Sequence, residues 1–141
     1  MVKKTIAWVD YEPKYVKFYQ DGLKNTFPGT EIDHFNTGTD FRTAVKSRPY
    51  DLIVMEPIII PPESDTDLTQ TGLSLVREIR ASGHNIETPI VFYTIESLAE
   101  LERKCVEQCG YDFQRLKVKA LRKPECVLLS EMVLEVKEYL R

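Results

Sequence analysis

A short apolar run followed by a stretch of helical periodicity recurs five times along this chain, and that alternation limits the fold more than any other feature. Thr5-Ile6-Ala7-Trp8-Val9 stops at Asp10. Val16, Tyr19, Leu23 and Phe27 then recur at helical spacing, from Pro13, whose missing N–H costs nothing in a first turn, to the Pro28-Gly29 break. Glu31–Phe35 alternates polar and apolar residues, as a strand with one wet face does. Thr39 or Asp40 is expected to cap the next helix, which carries Phe41, Ala44 and Val45 and closes at Arg48-Pro49. Asp51–Met55 is a continuous apolar strand suited to burial on both faces. After a Pro-rich loop, Leu73, Val76, Ile79 and Arg80 predict a helix reaching Ser82-Gly83. Pro89–Tyr93 is the fourth strand, with a helix over about residues 96–109. The fifth unit joins a strand within 116–122 to a C-terminal helix presenting Leu129, Met132, Val133, Val136 and Leu140.

Strict alternation implies an α/β fold, a five-stranded parallel doubly wound sheet with helices on both faces, in one domain spanning 1–141. In such sheets ligands bind beyond the C-terminal strand ends, where the strand order reverses. That rule singles out Asp10, Tyr11 and Glu12, then Glu56, Thr94 and Lys123. His34 and His84 are expected to fall outside this cluster, which leaves hydrolytic chemistry without a nucleophile–base pair. Asp10-Tyr11-Glu12-Pro13 puts negative charge where a flavin phosphate loop would need Ser, Thr or Gly, and no Walker-type glycine loop occurs.

Composition excludes further classes. Apolar runs such as Leu52–Met55 and Ile58–Ile60 fall far short of the roughly 20 residues of a membrane span. A net charge of −3 gives no general attraction to nucleic acid or anionic lipid, so neither is expected as a partner. Three cysteines (Cys105, Cys109 and Cys126), an odd number with no export signal, read as reduced thiols of a cytoplasmic protein. Cys105 and Cys109 lie one helical turn apart and lack two nearby partners for zinc, so structural thiols are expected.

The strand-end residues resemble those of response-regulator receiver domains of the CheY-like, flavodoxin-like superfamily, over essentially the whole chain. Trp8-Val9-Asp10-Tyr11-Glu12-Pro13 is similar to the first-strand motif that ends in an acidic pair. Asp51–Glu56 sits where the family has the strand ending in its phosphoacceptor aspartate. Gly72–Arg80 resembles the third helix, and Thr88–Thr94 the fourth strand with Thr94 at the hydroxyl position. Lys123-Pro124 matches the Lys-Pro pair after the fifth strand. The resemblance implies strand order 2-1-3-4-5. It also implies phosphoryl transfer from a histidine kinase to the aspartate, with Mg²⁺ neutralising phosphoryl charge and a lysine and a hydroxyl binding the new oxygens.

The chain departs from that pattern where the chemistry is done. Glu56 stands in place of the acceptor, and its extra methylene pushes the carboxylate into space meant for phosphoryl oxygens; a displacement of about 1 Å can cost roughly 100-fold in rate. Tyr11 replaces an acidic metal ligand with a phenol, Ile95 follows Thr94 where a small residue is usual, and Ala120 replaces the switch aromatic. The resemblance is therefore to a pseudo-receiver. Its expected role is non-enzymatic and phosphorylation-independent, through protein–protein interaction, with a histidine kinase or another signalling protein as partner and a homodimer through residues 95–141 as a further form. No cofactor is expected, and any weak Mg²⁺ binding would fall to Asp10, Glu12 and Glu56. The alternative is a working phosphorelay receiver that takes a phosphoryl group with Mg²⁺. The segment from Glu56 to Thr71 is long against the usual loop of about 2–6 residues. Its Ile58-Ile59-Ile60 is expected to pack on the domain or a partner. Arg115, Lys117 and Lys119, alternating with Leu116, Val118 and Ala120, read as a charged edge strand.

Overall fold

The computed structural model describes residues 3–10, 13–56, 72–81, 83–94, 97–122 and 129–140. Five strands, β1 (Thr5–Val9), β2 (Glu31–Phe35), β3 (Leu52–Met55), β4 (Ile90–Thr94) and β5 (Val118–Arg122), form one all-parallel sheet in the order β2-β1-β3-β4-β5. Helices α1 (Pro13–Thr26), α2 (Gly38–Ser47), α3 (Gly72–Ala81), α4 (Leu98–Cys109), α5 (Phe113–Leu116) and α6 (Leu129–Lys137) complete the described elements. The order is the one the resemblance implied.

Alternation along the central strands divides the core in two. Ala7, Val9, Ile53, Met55 and Phe92 face one layer, where Phe41 and Val45 of α2, Val76 and Ile79 of α3 and Leu101 and Cys105 of α4 are buried against them. Ile6, Trp8, Val54, Val91 and Tyr93 face the other, with Tyr19 and Leu23 of α1 and Val136 of α6. Trp8, Tyr19 and Tyr93 form an aromatic cluster there, the rings of Tyr19 and Tyr93 meeting edge to face at 5.1 Å. Helical spacing predicted the burial of Tyr19 and Leu23 in α1, Phe41 and Val45 in α2 and Val136 in α6, while the side chains of Val16, Leu129 and Met132 lie outside the described residues. In α3 it missed Leu75, which is buried beside Val76.

Three local expectations need correction. Thr37, not Thr39 or Asp40, caps α2: its side chain accepts the Asp40 N–H, so Asp40 sits in the first turn, where its charge faces the helix dipole. A short helix, α5, stands between α4 and β5. Gly110 ends α4 at φ 79°, Asp112 caps α5 by accepting the Arg115 N–H at 2.9 Å, and Phe113 packs edge to face on Phe92. The alternating run from Arg115 to Ala120 is therefore not all strand. Arg115 belongs to α5 and Lys117 is its left-handed cap at φ 57°, leaving Lys119 as the charge on this part of the edge strand. Burial still alternates through the run, because the short helix and the strand present successive residues to the same core.

Candidate functional site

β1 and β3 are neighbours in register, Val9 opposite Met55, so Asp10 and Glu56 follow side by side at the carboxyl edge. The Glu56 N–H donates to Val9 O at 2.9 Å and the Asp10 N–H to Phe35 O at 3.0 Å, which carries the ladders one residue past the strand ends. Asp10 is wholly buried and Glu56 is 5% exposed. Burying a carboxylate costs several kcal/mol unless it is well partnered, so two at one edge are not an accident of surface packing. β4 brings Thr94 to the same edge, its backbone paired with Arg122 of β5; the Thr94 side chain lies outside the described residues. Tyr11, Glu12 and Lys123, and the whole of 57–71, also lie outside them.

His34 joins this edge, contrary to expectation. Its Nε2 is 2.9 Å from the Asp10 carbonyl, to which it donates. The parity of β2 points His34 outward, yet the register sets it opposite Trp8, and the ring reaches two residues along β1 to Asp10. The signal was present in the parallel order, which makes β2 the neighbour of β1, and could not be read from β2 alone. His34 binds the backbone of Asp10, not its carboxylate, so it holds the strand end in place.

The fit to Mg²⁺ can be judged from the donor set. That ion takes oxygen ligands, often one or two carboxylates with several retained waters. Asp10 and Glu56 supply two buried acids. Among the described residues no group of three or more His, Cys, Asp or Glu is placed to hold a metal ion. A loosely held, largely hydrated ion fits this donor set, and a closed metal centre does not. Cys105 is buried in the core, and the Cys109 side chain lies outside the described residues. On β5, Ala120 pairs with Phe92 and presents a small side chain there.

A five-stranded 2-1-3-4-5 sheet with buried acids beyond β1 and β3 defines the receiver fold, and comparison with solved structures bears this out. A chemotaxis response regulator of Vibrio cholerae superposes with a TM-score of 0.74 at 15% identity, over 98% of this chain and 99% of that one. The receiver domain of a sensor histidine kinase of Pseudomonas aeruginosa, solved with magnesium coordinated in its active-site cleft, gives 0.73 at 20% identity, over 99% and 98%. A two-component response regulator of Clostridium difficile gives 0.71 at 22% identity, over 99% and 97%. No family model and no curated sequence matches the chain. The likeness is one of fold, at identities too low to carry residue roles across. No helix among the described residues is long and apolar enough to cross a membrane.

Proposed function

We propose that this chain is a receiver-like signalling module that works by binding another protein, without phosphoryl transfer. The observation that carries the reading is the buried Glu56 beside Asp10, a fixed longer carboxylate at the strand end where receivers place a phosphorylatable aspartate. Tyr11 and Ala120 support it, since a phenol is a poor Mg²⁺ ligand and a methyl group cannot follow a moving hydroxyl. A glutamate carries about one charge against roughly −1.5 to −2 for a phosphoryl group, so Glu56 holds one state and does not switch. The module is not an enzyme and keeps no resident cofactor. Its partner is a signalling protein such as a histidine kinase, or a second copy through residues 95–141. Exposed Leu98 on α4, lining a 290 Å³ hollow with Val118 and Ala120, offers the apolar surface for it.

The test is acetyl phosphate with Mg²⁺, followed by intact mass. No added phosphoryl mass is expected, either in the native chain or in E56D, because Tyr11 and Ile95 remain. Trp8, the single tryptophan, lies two residues from Asp10, and its fluorescence should not change with Mg²⁺ and beryllofluoride. A phosphorylated native chain would establish the alternative, a working phosphorelay receiver.

A further inference from the structure

The strongest concentration of unassigned positive charge lies at the opposite edge of the sheet. A cavity of about 460 Å³ is lined by Arg77, Arg80 and Ala81 of α3, by Tyr111, and by Arg115 and Leu116 of α5. That volume is in the range of small-ligand sites, about 300–1,000 Å³. No carboxylate is among the described residues that line it. The acids nearby are engaged elsewhere: Asp112 caps α5, Glu78 pairs with Arg42 at 2.8 Å, and Glu87 pairs with Lys117 at 3.2 Å. Three guanidiniums thus share one hollow in a chain whose net charge is −3.

Their roles differ. Arg80 is structural: its three nitrogens donate to the carbonyls of Leu116, Asn85, Ile86, Thr88 and Lys117, at 2.7–3.3 Å. It forms a fixed cationic floor and anchors the end of α5 that carries Arg115. Arg77 and Arg115 are exposed, and their guanidinium carbons lie 6.0 and 5.0 Å from the centroid of the Tyr111 ring. These contacts hold two planar forks near each other at low entropic cost. Tyr111 is 38% exposed, so part of its side chain is open to solvent beside the two guanidiniums.

We propose that this cavity binds the phosphate of a small nucleotide, with Arg77 and Arg115 on the phosphate and Tyr111 stacked on the base. A phosphate carries more charge than a carboxylate and matches the guanidinium fork in bidentate geometry. The aromatic ring distinguishes a nucleotide from free phosphate. A long polyanion is disfavoured by the acidic remainder of the chain. The site is separate from the carboxyl edge and does not depend on the signalling role proposed above.

Calorimetric titration of the full chain with ADP and with inorganic phosphate, at low salt and without Mg²⁺, tests the proposal. ADP should bind saturably at one site, with phosphate about tenfold or more weaker for lack of stacking. R77A/R115A should weaken ADP by about tenfold or more, and R77K/R115K, which keeps the charge and the fold but not the forks, by less. Y111A should weaken ADP by a larger factor than phosphate, since it removes the stacking as well as the support of the two forks, while E56Q should bind both as the native chain does. The proposal is overturned by an absence of saturable binding, by equal affinity for ADP and phosphate, or by unchanged ADP affinity in folded R77K/R115K and R77A/R115A.

Discussion

At the edge where the strands begin, buried polar groups are amides and hydroxyls with their partners in place; at the edge where they end, the buried polar residues are the acids Asp10 and Glu56. Asn85 shows the first pattern. Its Nδ2 donates to Val45 O and Arg48 O at 2.6 and 2.9 Å, and its Oδ1 accepts the Tyr50 N–H at 2.8 Å and the Thr88 hydroxyl at 2.9 Å. One side chain thereby ties the end of α2, the approach to β3 and the turn before β4. Arg80 adds α5 and the start of β5 to the same network, and the Asp51 carboxylate accepts the Thr5 N–H at 2.8 Å to fix β1 against β3. Buried neutral groups with satisfied bonds stabilise at little desolvation cost. Buried acids carry that cost and are retained where charge has a use. The contrast separates the edge that holds the fold from the edge on which the proposed function rests.

Asn85→Ala should be the most damaging single change. It leaves the Tyr50 N–H and two carbonyls without their buried partner, a loss of about 3–4 kcal/mol. Urea unfolding should show a lowered midpoint with an unchanged slope. A loss below about 1 kcal/mol would mean that water replaces the amide, and this edge would not be the structural one. Arg80→Met should follow, at about 2–3 kcal/mol, since it strips a charged donor from five carbonyls. Burial lowers the Arg80 pKa from its ordinary value, against a smaller opposing effect of Glu87. Amide exchange should accelerate in β5 more than in β1, because the bonds to Leu116 and Lys117 fix only the former.

Tyr50 provides a pH readout of the same network. Burial, followed by the hydrogen bond to Asp33 at 2.8 Å, pushes its phenol up from 10.0 to about 12. The neutral phenol is favoured in the folded state, so its contribution is fully present below the unfolded pKa. It is lost as pH rises through the window from 10.0 to about 12. The loss should be on the order of 1–2 kcal/mol, less than the full shift implies, because Asp33 is partly exposed to solvent. Melting of Tyr50→Phe should lack this alkaline drop while costing about 1 kcal/mol at neutral pH for the missing bond. An identical alkaline profile in both proteins would assign the drop to other groups.

The five strands, the doubly buried centre of the sheet and the strand ends at Asp10 and Glu56 were legible because hydrophobic period and strand ends are local properties of the sequence, while the order that sets Asp10 beside Glu56 was implied only by the resemblance to receiver domains. Leu52–Met55 reads as a doubly buried strand wherever it is placed, and so does its terminus at Glu56. The structural edge was not legible. Asn85 looks like an ordinary turn residue, and three of its four partners, Val45, Arg48 and Tyr50, lie at least 35 residues away along the chain. The contact of His34 with Asp10 likewise needs the register of two strands that are distant in sequence. Helix α5 was hidden by alternation: Leu116 and Val118 face inward at a spacing of two, although one ends a helix and the other begins a strand. The Arg77–Tyr111–Arg115 grouping depends on α5 and was invisible for the same reason.

Glu56→Gln should have the smallest effect, and it tests the comparison from the other side. The amide is nearly isosteric and removes a negative charge from a position 5% exposed beside the fully buried Asp10. Two contributions oppose. The neutral group escapes the desolvation cost of a carboxylate and its repulsion from Asp10, while it gives up the stronger bonds that a charged acceptor makes with its partners. Their near cancellation predicts a change within about 1 kcal/mol of zero in urea unfolding at neutral pH. At Asn85 no such cancellation exists, because that side chain is neutral already and every bond lost is a net loss. If Glu56→Gln destabilised the fold as much as Asn85→Ala, Glu56 would belong to a structural ion pair, and the carboxyl edge would be a second anchor of the sheet.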